Sequence, residues 1–364
     1  MKAAINNYAR KVNRPYLIVL VIAYVAGMNI FVLLKMLGLK ELNEINLQTQ
    51  QALLPLSSCM ALLVALGIAF MEVYIFNRWE NYPFGRFILY KYSIIILLIT
   101  TGCILVFIFF AQVFENKSLN ASLQSIPEFL QTEIFLSVFL YLILFSILLN
   151  MIKTIYDYLG PQAIVGALLG KYSQPVEEDL TFLFIDLQAS TRIAEQLGHA
   201  QYSRFIESSF QLLTESIHQH DAILYQFVGD EAVLLWPAQT AQKTLAPLKL
   251  YFDFIKKIDQ QSNYFTKSFG ETPRFKAAVH TGLVTVTEIR TIKRDIVYHG
   301  DVLNTCARML EQCNTLKKNL LVSSPVANWL QEADRFTASF ATQLTFRGKA
   351  SETTIYEITT PSIH

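Results

Sequence analysis

Charge is scarce in this chain, and neither sign prevails. Only 16% of its 364 residues are charged, and 30 Lys and Arg nearly balance 29 Asp and Glu, for a net charge of +1. Nucleic-acid-binding domains usually carry a strong basic excess, so no nucleic-acid partner is expected. Cysteine is also rare, and the four cysteines have neither zinc-site spacing nor a disulfide framework. We therefore expect them to be reduced and inert: Cys59, Cys103, Cys306 and Cys313.

Long apolar stretches are what the first half contains instead. They cover residues 15–37, 52–76, 88–114 and 129–152. Each reaches the roughly 20 residues that a helix needs to cross the hydrocarbon core. The first is too long for a signal-peptide core and lacks a small-residue cleavage site. Residues 1–152 are therefore predicted to form an α-helical transmembrane domain of four spans in a lipid bilayer.

The loops between these spans predict their orientation, because cytoplasmic loops are enriched in Lys and Arg. One side carries Lys2, Arg10, Lys11, Arg14, Arg78, Arg86, Lys91 and Lys153. The other side has only Lys40 and Lys117. The bias predicts a multi-pass protein of the inner or plasma membrane, with its N-terminus and its C-terminal half in the cytoplasm.

No Asp or Arg stands in the middle of a span, so the charged pathway typical of many pumps and ion-coupled transporters is missing. Glu72 and Glu133 lie near span ends, where we expect exposed carboxylates. Lys91 is expected to extend its ammonium to the membrane interface. An anchor, a sensor, and a channel or transporter regulated by the second half all remain open as roles for these spans.

Residues 153–179 are predicted to form a cytoplasmic linker, as either a plain tether or a coupling segment. Gly160 and Pro161 are expected to end the last membrane helix. From residue 180 to 364, helix-like and strand-like segments alternate. Helices are predicted at 193–197, 202–218, 244–259, 301–312 and 324–332. Strands are predicted at 222–227, 232–236, 275–280, 283–289, 296–299, 320–322, 344–347 and 354–358. The pattern indicates an α+β domain, a mixed sheet with helices packed around it.

The segment TFLFIDLQASTR opens this domain with an apolar run that ends at Asp186. A small-residue turn, Ala189-Ser190-Thr191, then precedes a helical pattern. A strand-end carboxylate beside the free N–H groups of a helix N-terminus can hold a divalent cation next to phosphate oxygens. The alternative is an ordinary helix-capping Asp.

Two further polar elements follow. Asp230 lies in a predicted hairpin turn after Gly229, and neighbouring strands would bring it to the same cations as Asp186. Asn304 and Arg308 are four residues apart and share a helix face. An amide and a guanidinium there suit a phosphate with developing negative charge. Taken alone, the second pair is equally compatible with a solvated polar stripe.

Together these elements resemble the class III nucleotidyl cyclases, the adenylate and guanylate cyclases. The resemblance covers residues 177–358 and rests on four motifs: FIDLQASTR, QFVGDEAVLLW, VHTG and HGDVLNTCARM. It implies that Asp186 and Asp230 bind two Mg²⁺ or Mn²⁺ ions per active site, with the Leu187 carbonyl as a further ligand. Asn304 is implied to orient the ribose, and Arg308 to stabilise the α-phosphate.

The same resemblance implies a set of substrate contacts. Ala189, Ser190 and Thr191 match the loop that cradles the β- and γ-phosphates. Further phosphate contacts are expected from Arg347 and, on a looser alignment, from Lys293 or Arg294. Gln226 and Val297 occupy the base-selecting positions, but they fit neither the usual adenylate pattern, Lys with Asp or Thr, nor the usual guanylate pattern.

In this family each active site lies between two cyclase domains, and this chain carries both sets of residues. A head-to-tail homodimer with two sites is therefore expected. The favoured function is a membrane-bound adenylate cyclase that converts ATP to 3′,5′-cyclic AMP and pyrophosphate by two-metal catalysis. The alternatives are a guanylate or pyrimidine nucleotide cyclase, and a catalytically silent nucleotide-binding membrane sensor.

Overall fold

A computed structural model describes residues 14–38, 47–75, 84–290, 294–330, 335–344 and 352–360. The chain divides into two compact units, Met1–Pro161 and Gln162–His364.

Helices alone make up the described part of the first unit. They are α1 (Arg14–Gly38), α2 (Leu47–Tyr74), α3 (Phe84–Val113), α4 (Leu119–Gln124), α5 (Ile126–Leu130) and α6 (Glu133–Leu169). Four contain stretches long and apolar enough to cross a membrane: Leu17–Lys35, Leu54–Glu72, Gly85–Val113 and Glu133–Ile155. These stretches match the four predicted spans.

Small residues and polar contacts hold these helices together. A Cβ on Gly27 of α1 would lie 2.6 Å from the Phe145 ring of α6, so only glycine permits this approach. The Tyr24 hydroxyl donates to Ser146 Oγ at 2.6 Å, and the Tyr141 hydroxyl donates to the Gly27 carbonyl at 2.7 Å. Buried hydroxyls thus find partners across the α1–α6 interface, as a low-dielectric interior requires.

Two expectations about charge in this unit are wrong. Glu72 is buried rather than exposed, with 3% of its surface accessible, and Lys91 is buried at 7% rather than extended to the interface. Lys91 Nζ on α3 lies 3.1 Å from Glu72 Oε2, and Lys153 on α6 pairs with Glu72 Oε1. Mutual neutralisation lets the three charges stay inside the helix bundle. Glu133 is exposed, as expected.

The expected end of the last membrane helix at Gly160 and Pro161 is also wrong. Helix α6 continues for 37 residues, from Glu133 to Leu169. A proline inside a helix costs about 3 kcal/mol because it removes one hydrogen bond and crowds the preceding turn. The apolar, helix-compatible segments on both sides of Pro161 outweigh this local cost.

The second unit is built on one mixed sheet. Its strands are β1 (Val176–Leu187), β2 (Ile223–Val228), β3 (Glu231–Pro237), β4 (Phe275–Arg290), β5 (Arg294–His299), β6 (Leu320–Ser323), β7 (Thr337–Leu344) and β8 (Thr353–Thr359). The strand order is β2-β3-β1-β4-β6-β8-β7, and β5 pairs with β4. Only the β4–β6 pair is parallel. This confirms the mixed sheet of the predicted α+β domain.

Helices cover both faces of the sheet. They are α7 (Ser190–Gln219), α8 (Ala238–Thr244), α9 (Ala246–Gln260), α10 (Ser262–Phe269), α11 (Asp301–Leu316) and α12 (Ser324–Ala327). Alternate residues of β1 point to opposite faces. Leu183 and Ile185 join one core with α7 and α9, whereas Phe182 and Phe184 join a second core with α11. Strand β1 is therefore buried on both sides, which explains its unbroken apolar run.

Several predicted boundaries are wrong in this unit. Thr281-Gly282 does not separate two strands, because β4 continues through it while pairing with β1 along its length. The predicted helix 324–332 is only one turn, α12. The predicted helix 244–259 is divided at Leu245, which has φ +54°, just before a helix start with proline in its first turn. The predicted strand 344–347 lies mostly outside the described residues, and β7 ends at Leu344.

The predicted break between helices 193–197 and 202–218 is confirmed. Gly198, inside α7, has φ +70° and ψ 160°, which is not helical, so two helical segments meet there at a kink. The four cysteines are free thiols. Burial raises the pKa of the Cys306 and Cys313 thiols in α11, which fits their expected inertness.

Candidate active site

The C-terminal end of β1 places Asp186 between two strands. In the sheet register Asp186 lies opposite Glu231 of β3 on one side and opposite Lys276 of β4 on the other. Directly opposed residues on neighbouring strands present their side chains on the same face. Two ionisable groups, one acidic and one basic, therefore flank the Asp186 carboxylate.

Lys276 was not predicted from the sequence, and it neutralises Asp186. Its Nζ lies 3.0 Å from Asp186 Oδ2, and only 9% of the lysine side chain is exposed. Burial raises the pKa of Asp186, and the nearby charge of Asp230 raises it further, while Lys276 partly offsets both effects. Nothing in the local pattern FKAAV shows that Lys276 faces an acid, because this depends on the β1–β4 register.

Asp230 is presented by the turn between β2 and β3. Gly229 adopts φ +62°, a conformation that glycine reaches without steric cost. The turn confirms the predicted hairpin and brings Asp230 close enough to Asp186 for their charges to interact. Asp230 Oδ2 is buried, and no hydrogen-bond donor to it is present in the part of the chain that the structure describes. A buried carboxylate oxygen without a donor is costly unless a cation or ligand satisfies it.

The turn after β1 leads directly into the N-terminus of α7. Ala189 has φ +56° and precedes Ser190, the first residue of the helix, and no side chain caps this end. The first N–H groups of a helix have no intrahelical acceptors. The turn is anchored because the Gln188 N–H donates to the Arg274 carbonyl at 2.8 Å. Ala189, Ser190 and Thr191 thus present free amides and a positive helix end beside Asp186.

Two more ionisable residues of this cluster were not predicted, Tyr202 of α7 and Glu231 of β3. Burial raises the pKa of the Tyr202 phenol, and the nearby charge of Asp230 raises it further. Glu231 also has a raised pKa, because of burial and then because of the charges of Asp186 and Asp230. An excess of negative charge is therefore concentrated at the ends of β1 and the β2–β3 hairpin.

Asn304 and Arg308 lie on α11, as predicted, but they point away from the sheet that carries Asp186. The buried stripe of α11 comprises Val302, Thr305, Cys306, Met309, Leu310 and Cys313. The Cys306 thiol contacts the Phe182 and Ala278 carbonyls of β1 and β4. At 100° per residue, positions 304 and 308 fall on the opposite side of the helix, and Asn304 is exposed. A single chain therefore does not bring Asn304 to its own Asp186.

The candidate base-reading residues lie on two strands that the fold brings together. Gln226 is exposed on β2, and Val297 is half-buried on β5. Their chain neighbours Tyr225 and Tyr298 pack edge to face, with ring centroids 4.9 Å apart. Side chains alternate along a strand, so Val297 projects to the side of β5 opposite Tyr298. In β2 the register shifts between Leu224 and Gln226, which places Gln226 opposite Val233 and so on the same face as Tyr225.

Other predicted phosphate contacts fall outside the described residues. This holds for Arg347 and Lys293, and Arg294 is described only by its backbone in β5.

The side chains that surround Asp186 fit a hard divalent cation bound together with phosphate. Within the described residues, no group of three or more His, Cys, Asp or Glu side chains has the arrangement of a complete metal site. Mg²⁺ is usually held by one or two carboxylates together with substrate phosphates and water. Asp186, Asp230 with its donor-free Oδ2, and the adjoining Leu187 carbonyl supply such a partial ligand set, which a triphosphate on the α7 amides would complete.

Comparison with known proteins gives a consistent result. Residues 172–360 match the family model of the adenylate and guanylate cyclase catalytic domain. Adenylate cyclase 2 from Rhizobium meliloti (strain 1021) is 30% identical over 207 residues, covering 57% of each protein. The chain thus spans little more than half the length of this curated relative.

Two solved structures are similar to part of this chain. The adenylyl cyclase CyaB from P. aeruginosa is 15% identical, with a TM-score of 0.46, covering 52% of this chain and 97% of that one. A bacterial light-regulated adenylyl cyclase is 17% identical, with a TM-score of 0.49, covering 59% and 64% respectively.

Proposed function

The chain belongs to the adenylate and guanylate cyclase catalytic domain family, and from this premise we propose that it is a membrane-bound adenylate cyclase. It would convert ATP to 3′,5′-cyclic AMP and pyrophosphate. One observation carries the proposal: Asp186, neutralised by Lys276, and Asp230, with a buried donor-free oxygen, meet beside the free amides of a helix N-terminus. This combination of two carboxylates and an anion-binding helix end suits a metal–triphosphate complex.

The reaction is an intramolecular phosphoryl transfer. The ribose 3′-oxygen forms a bond to the α-phosphorus, the bond from that phosphorus to the bridging oxygen breaks, and pyrophosphate leaves with the electron pair. The 3′-hydroxyl proton passes to solvent. Two Mg²⁺ or Mn²⁺ ions, when bound, would supply Lewis-acid stabilisation of the attacking and leaving oxygens. Asp186, Asp230 and the Leu187 carbonyl are the groups that would hold them.

Other residues of the chain would bind and orient the nucleotide. The amides at Ala189, Ser190 and Thr191 would bind the β- and γ-phosphates, with Lys293 and Arg347 as further phosphate contacts. Asn304 would orient the ribose, and Arg308 would stabilise charge on the α-phosphate. Because Asn304 faces away from its own sheet, these two residues would come from a second copy of the chain. A head-to-tail homodimer with two equivalent sites follows from this arrangement.

Specificity for the base rests on Gln226 and Val297. The Gln226 amide both donates and accepts hydrogen bonds, so it can read the N1 edge of adenine. Val297 offers no side-chain hydrogen bond, and recognition at its position would fall to the β5 backbone. GTP and pyrimidine triphosphates are the competing substrates, because a neutral amide at position 226 does not exclude their edges.

The membrane half would hold the catalytic domain at the cytoplasmic face of the inner or plasma membrane. Four apolar helices of sufficient length support insertion. The concentration of Lys and Arg before the first span, between the second and third, and after the fourth supports a cytoplasmic N-terminus and a cytoplasmic catalytic domain.

Product analysis tests the function directly. The purified full-length protein would be incubated separately with ATP, GTP, CTP and UTP in the presence of Mn²⁺, and each product identified by mass spectrometry. Cyclic AMP and pyrophosphate from ATP are expected. A cyclic product from another triphosphate alone would overturn the adenylate assignment, and no turnover with any triphosphate would favour a silent nucleotide-binding sensor.

Substitution of the two carboxylates tests the metal assignment. Asp186→Ala and Asp230→Ala are expected to lower turnover by at least about 100-fold, because each removes a ligand of the ions that organise the reaction. Asp179→Ala is the matched control, since Asp179 is exposed on the same strand β1. Wild-type turnover in either active-site variant, with membrane insertion intact, would refute the assignment.

A further inference from the structure

The turn between α6 and β1 is held against the catalytic sheet. Helix α6 ends at Leu169, and Gly170 then adopts φ +63°, a conformation that favours glycine. The Ser173 N–H donates to the Gly170 carbonyl at 3.1 Å and closes a turn over residues 170–173, the junction turn. Tyr172 within it is half-buried and packs against the core that β1 and β4 share with α11. The junction turn is therefore part of the folded catalytic domain.

Glu178 of β1 binds both polar side chains of the junction turn. The Tyr172 hydroxyl donates to Glu178 Oε1 at 3.3 Å, and Lys171 Nζ lies 2.6 Å from the same oxygen. The Lys171 ammonium also lies 4.9 Å from the centroid of the Tyr172 ring, within range of a cation–π contact. One carboxylate thus fixes two side chains of the turn to β1.

The backbone of the junction turn bonds to β4. The Tyr172 carbonyl accepts a hydrogen bond from the Glu288 N–H at 3.0 Å. Glu288 lies two residues beyond Val286, where the pairing of β4 with β1 ends. On the opposite edge of β4, Thr287 pairs with Val297 of β5. The junction turn and Val297 therefore contact neighbouring residues of β4 from its two edges.

This part of β4 has little other support from the sheet. In the described residues, β4 pairs with β6 only at residues 277–279 and with β1 no further than Val286. Residues 287–290 of β4 and 294–297 of β5 therefore form a two-stranded ribbon. An isolated two-stranded ribbon is at best marginally stable in water. The bond to Tyr172 supports this ribbon at the point where it leaves the sheet.

We propose that Glu178 is a positioning residue for the nucleotide base: by holding the junction turn on β4, it keeps the ribbon, and with it Val297, at the base-binding position. The inference rests on the proposed function, which assigns Val297 to the base. The metal site of the same chain, at Asp186, lies eight residues further along β1, about 26 Å away. Loss of Glu178 should therefore weaken contacts with the base and leave those with the phosphates intact.

Glu178→Met tests this role, because methionine keeps the length of the side chain but is only a weak hydrogen-bond acceptor. Glu177→Met is the matched control, since Glu177 is exposed on the same strand and projects from the other face of the sheet. The full-length protein with Mn²⁺ would be titrated with 3′-deoxy-ATP, which cannot cyclise, and with inorganic triphosphate, which has no base. Glu178→Met should weaken 3′-deoxy-ATP binding about 2- to 5-fold, as expected for loss of a partly exposed ion pair, and leave triphosphate binding unchanged. Glu177→Met should change neither.

Kinetics supply a second readout. In Glu178→Met the KM for ATP should rise by the same factor, and kcat should stay near the wild-type value. Unchanged binding of 3′-deoxy-ATP would overturn the proposal. Equal weakening of both ligands would also overturn it, because that result indicates a general defect of the domain.

Val297→Trp separates failure of this proposal from failure of the proposed function. A bulky side chain at the base-binding position should block 3′-deoxy-ATP, while inorganic triphosphate still binds. If Val297→Trp weakens nucleotide binding and Glu178→Met does not, only the role of Glu178 fails. If Val297→Trp binds 3′-deoxy-ATP normally, the base assignment fails, and this proposal with it. Absence of 3′-deoxy-ATP binding by the wild type would refute the proposed function itself.

Discussion

His220, at the end of α7, lies in a charged cluster separate from the candidate active site. Its Nε2 is 3.7 Å from Asp253 Oδ2, and Asp253 also pairs with Lys257 at 2.8 Å. Glu215 reaches the same lysine at 4.0 Å. Burial lowers the pKa of His220, and Asp253 only partly offsets this, because Lys257 and Lys249 act in the same direction as burial. The folded protein therefore disfavours the protonated form of the imidazole.

A pH dependence of stability follows from this residue. Because the pKa of His220 is lower in the folded than in the unfolded state, the unfolded chain binds the extra proton more readily. The contribution of His220 to the free energy of unfolding is therefore fully present above about pH 6.5, the usual histidine pKa. It is lost as the pH falls below that value. His218 acts in the same direction, since burial lowers its pKa too, whereas the raised pKa of Glu215 acts in the opposite one.

Thermal unfolding between pH 7.5 and 5.5 measures this effect. The midpoint of thermal unfolding of the wild type should fall on acidification. The midpoint of His220→Gln should fall less, because one proton-binding group is gone. The hydrogen bond that Trp236 Nε1 donates to the backbone carbonyl of His220 does not involve the imidazole and should persist in the variant. His199→Gln, at an exposed position of the same helix, should behave as wild type. Parallel pH profiles for wild type and His220→Gln would contradict the explanation.

Among single residues, the sequence indicated the candidates that stand in recognisable motifs. It missed those that only the fold places near the candidate active site. Asp186, Asp230, Asn304 and Arg308 lie where their motifs indicate. Lys276 was missed because its partner is fixed by strand register, and Tyr202 because its proximity to the charge of Asp230 comes from the fold and not from a motif. Local hydrophobic periodicity does not determine which strands pair or which distant residues approach each other.

The helices of the first unit are joined by a charge cluster that links three of them. Glu72 of α2 lies between Lys91 of α3 and Lys153 of α6, all near one end of the apolar stretches. Two ammonium groups share one carboxylate in a largely buried place. The stability of the cluster therefore depends on Glu72, which pairs with both lysines.

Glu72→Gln should therefore destabilise the helix bundle strongly. The substitution removes the carboxylate charge that buried Lys91 and half-buried Lys153 share, and breaking a buried ion pair in this way typically costs about 3–5 kcal/mol. Thermal unfolding of the purified protein in detergent would show a lower midpoint. Glu133→Gln, at the exposed start of α6, is the control and should leave the midpoint unchanged. Equal midpoints for the two variants would show that the cluster contributes nothing.

Helices and strands were predicted well where one sequence pattern dominates. They were predicted poorly where a turn or breaker residue interrupts an apolar pattern. The four apolar stretches and the β2–β3 hairpin were found because length and turn chemistry are local properties. Strand β4 was divided at Thr281-Gly282, although the Thr181 and Thr281 hydroxyls, 2.9 Å apart, join it to β1 at that point. Helix α6 was ended at Pro161, although the flanking segments continue it. Strand pairing overrode the breaker residue in β4, and the helical segments on either side overrode it in α6.

At the scale of the complete molecule, the two groups of residues in the proposed site lie apart within one chain. Asp186 and Asp230 lie at strand ends, and Asn304 lies on the outer side of α11. A symmetric dimer in which the same surfaces meet twice would form two sites, each with contributions from both copies. The exposed apolar side chains of Leu224, Phe227 and Val228 on the β2 edge are compatible with a covered surface there.

Mixing two inactive variants tests this assembly. Asp230→Ala and Arg308→Ala chains should each be inactive alone. When they are co-expressed, half of the dimers are mixed and each mixed dimer has one intact site of two, so activity should recover to about a quarter of wild type. Recovery would be measured in membranes with each chain separately tagged. If both chains insert and associate but activity does not return, each site is built from one chain.

The Asp186–Lys276 pair has a thermodynamic consequence of its own. Asp186, the acid that would receive a cation, is paired with a lysine of the same sheet. We therefore expect folding of the catalytic domain to depend less on metal than that of small domains that require their metal to fold. A chelator should abolish turnover without unfolding the protein. The internal ammonium also competes with an incoming cation, which favours loading when the cation arrives already complexed to the triphosphate.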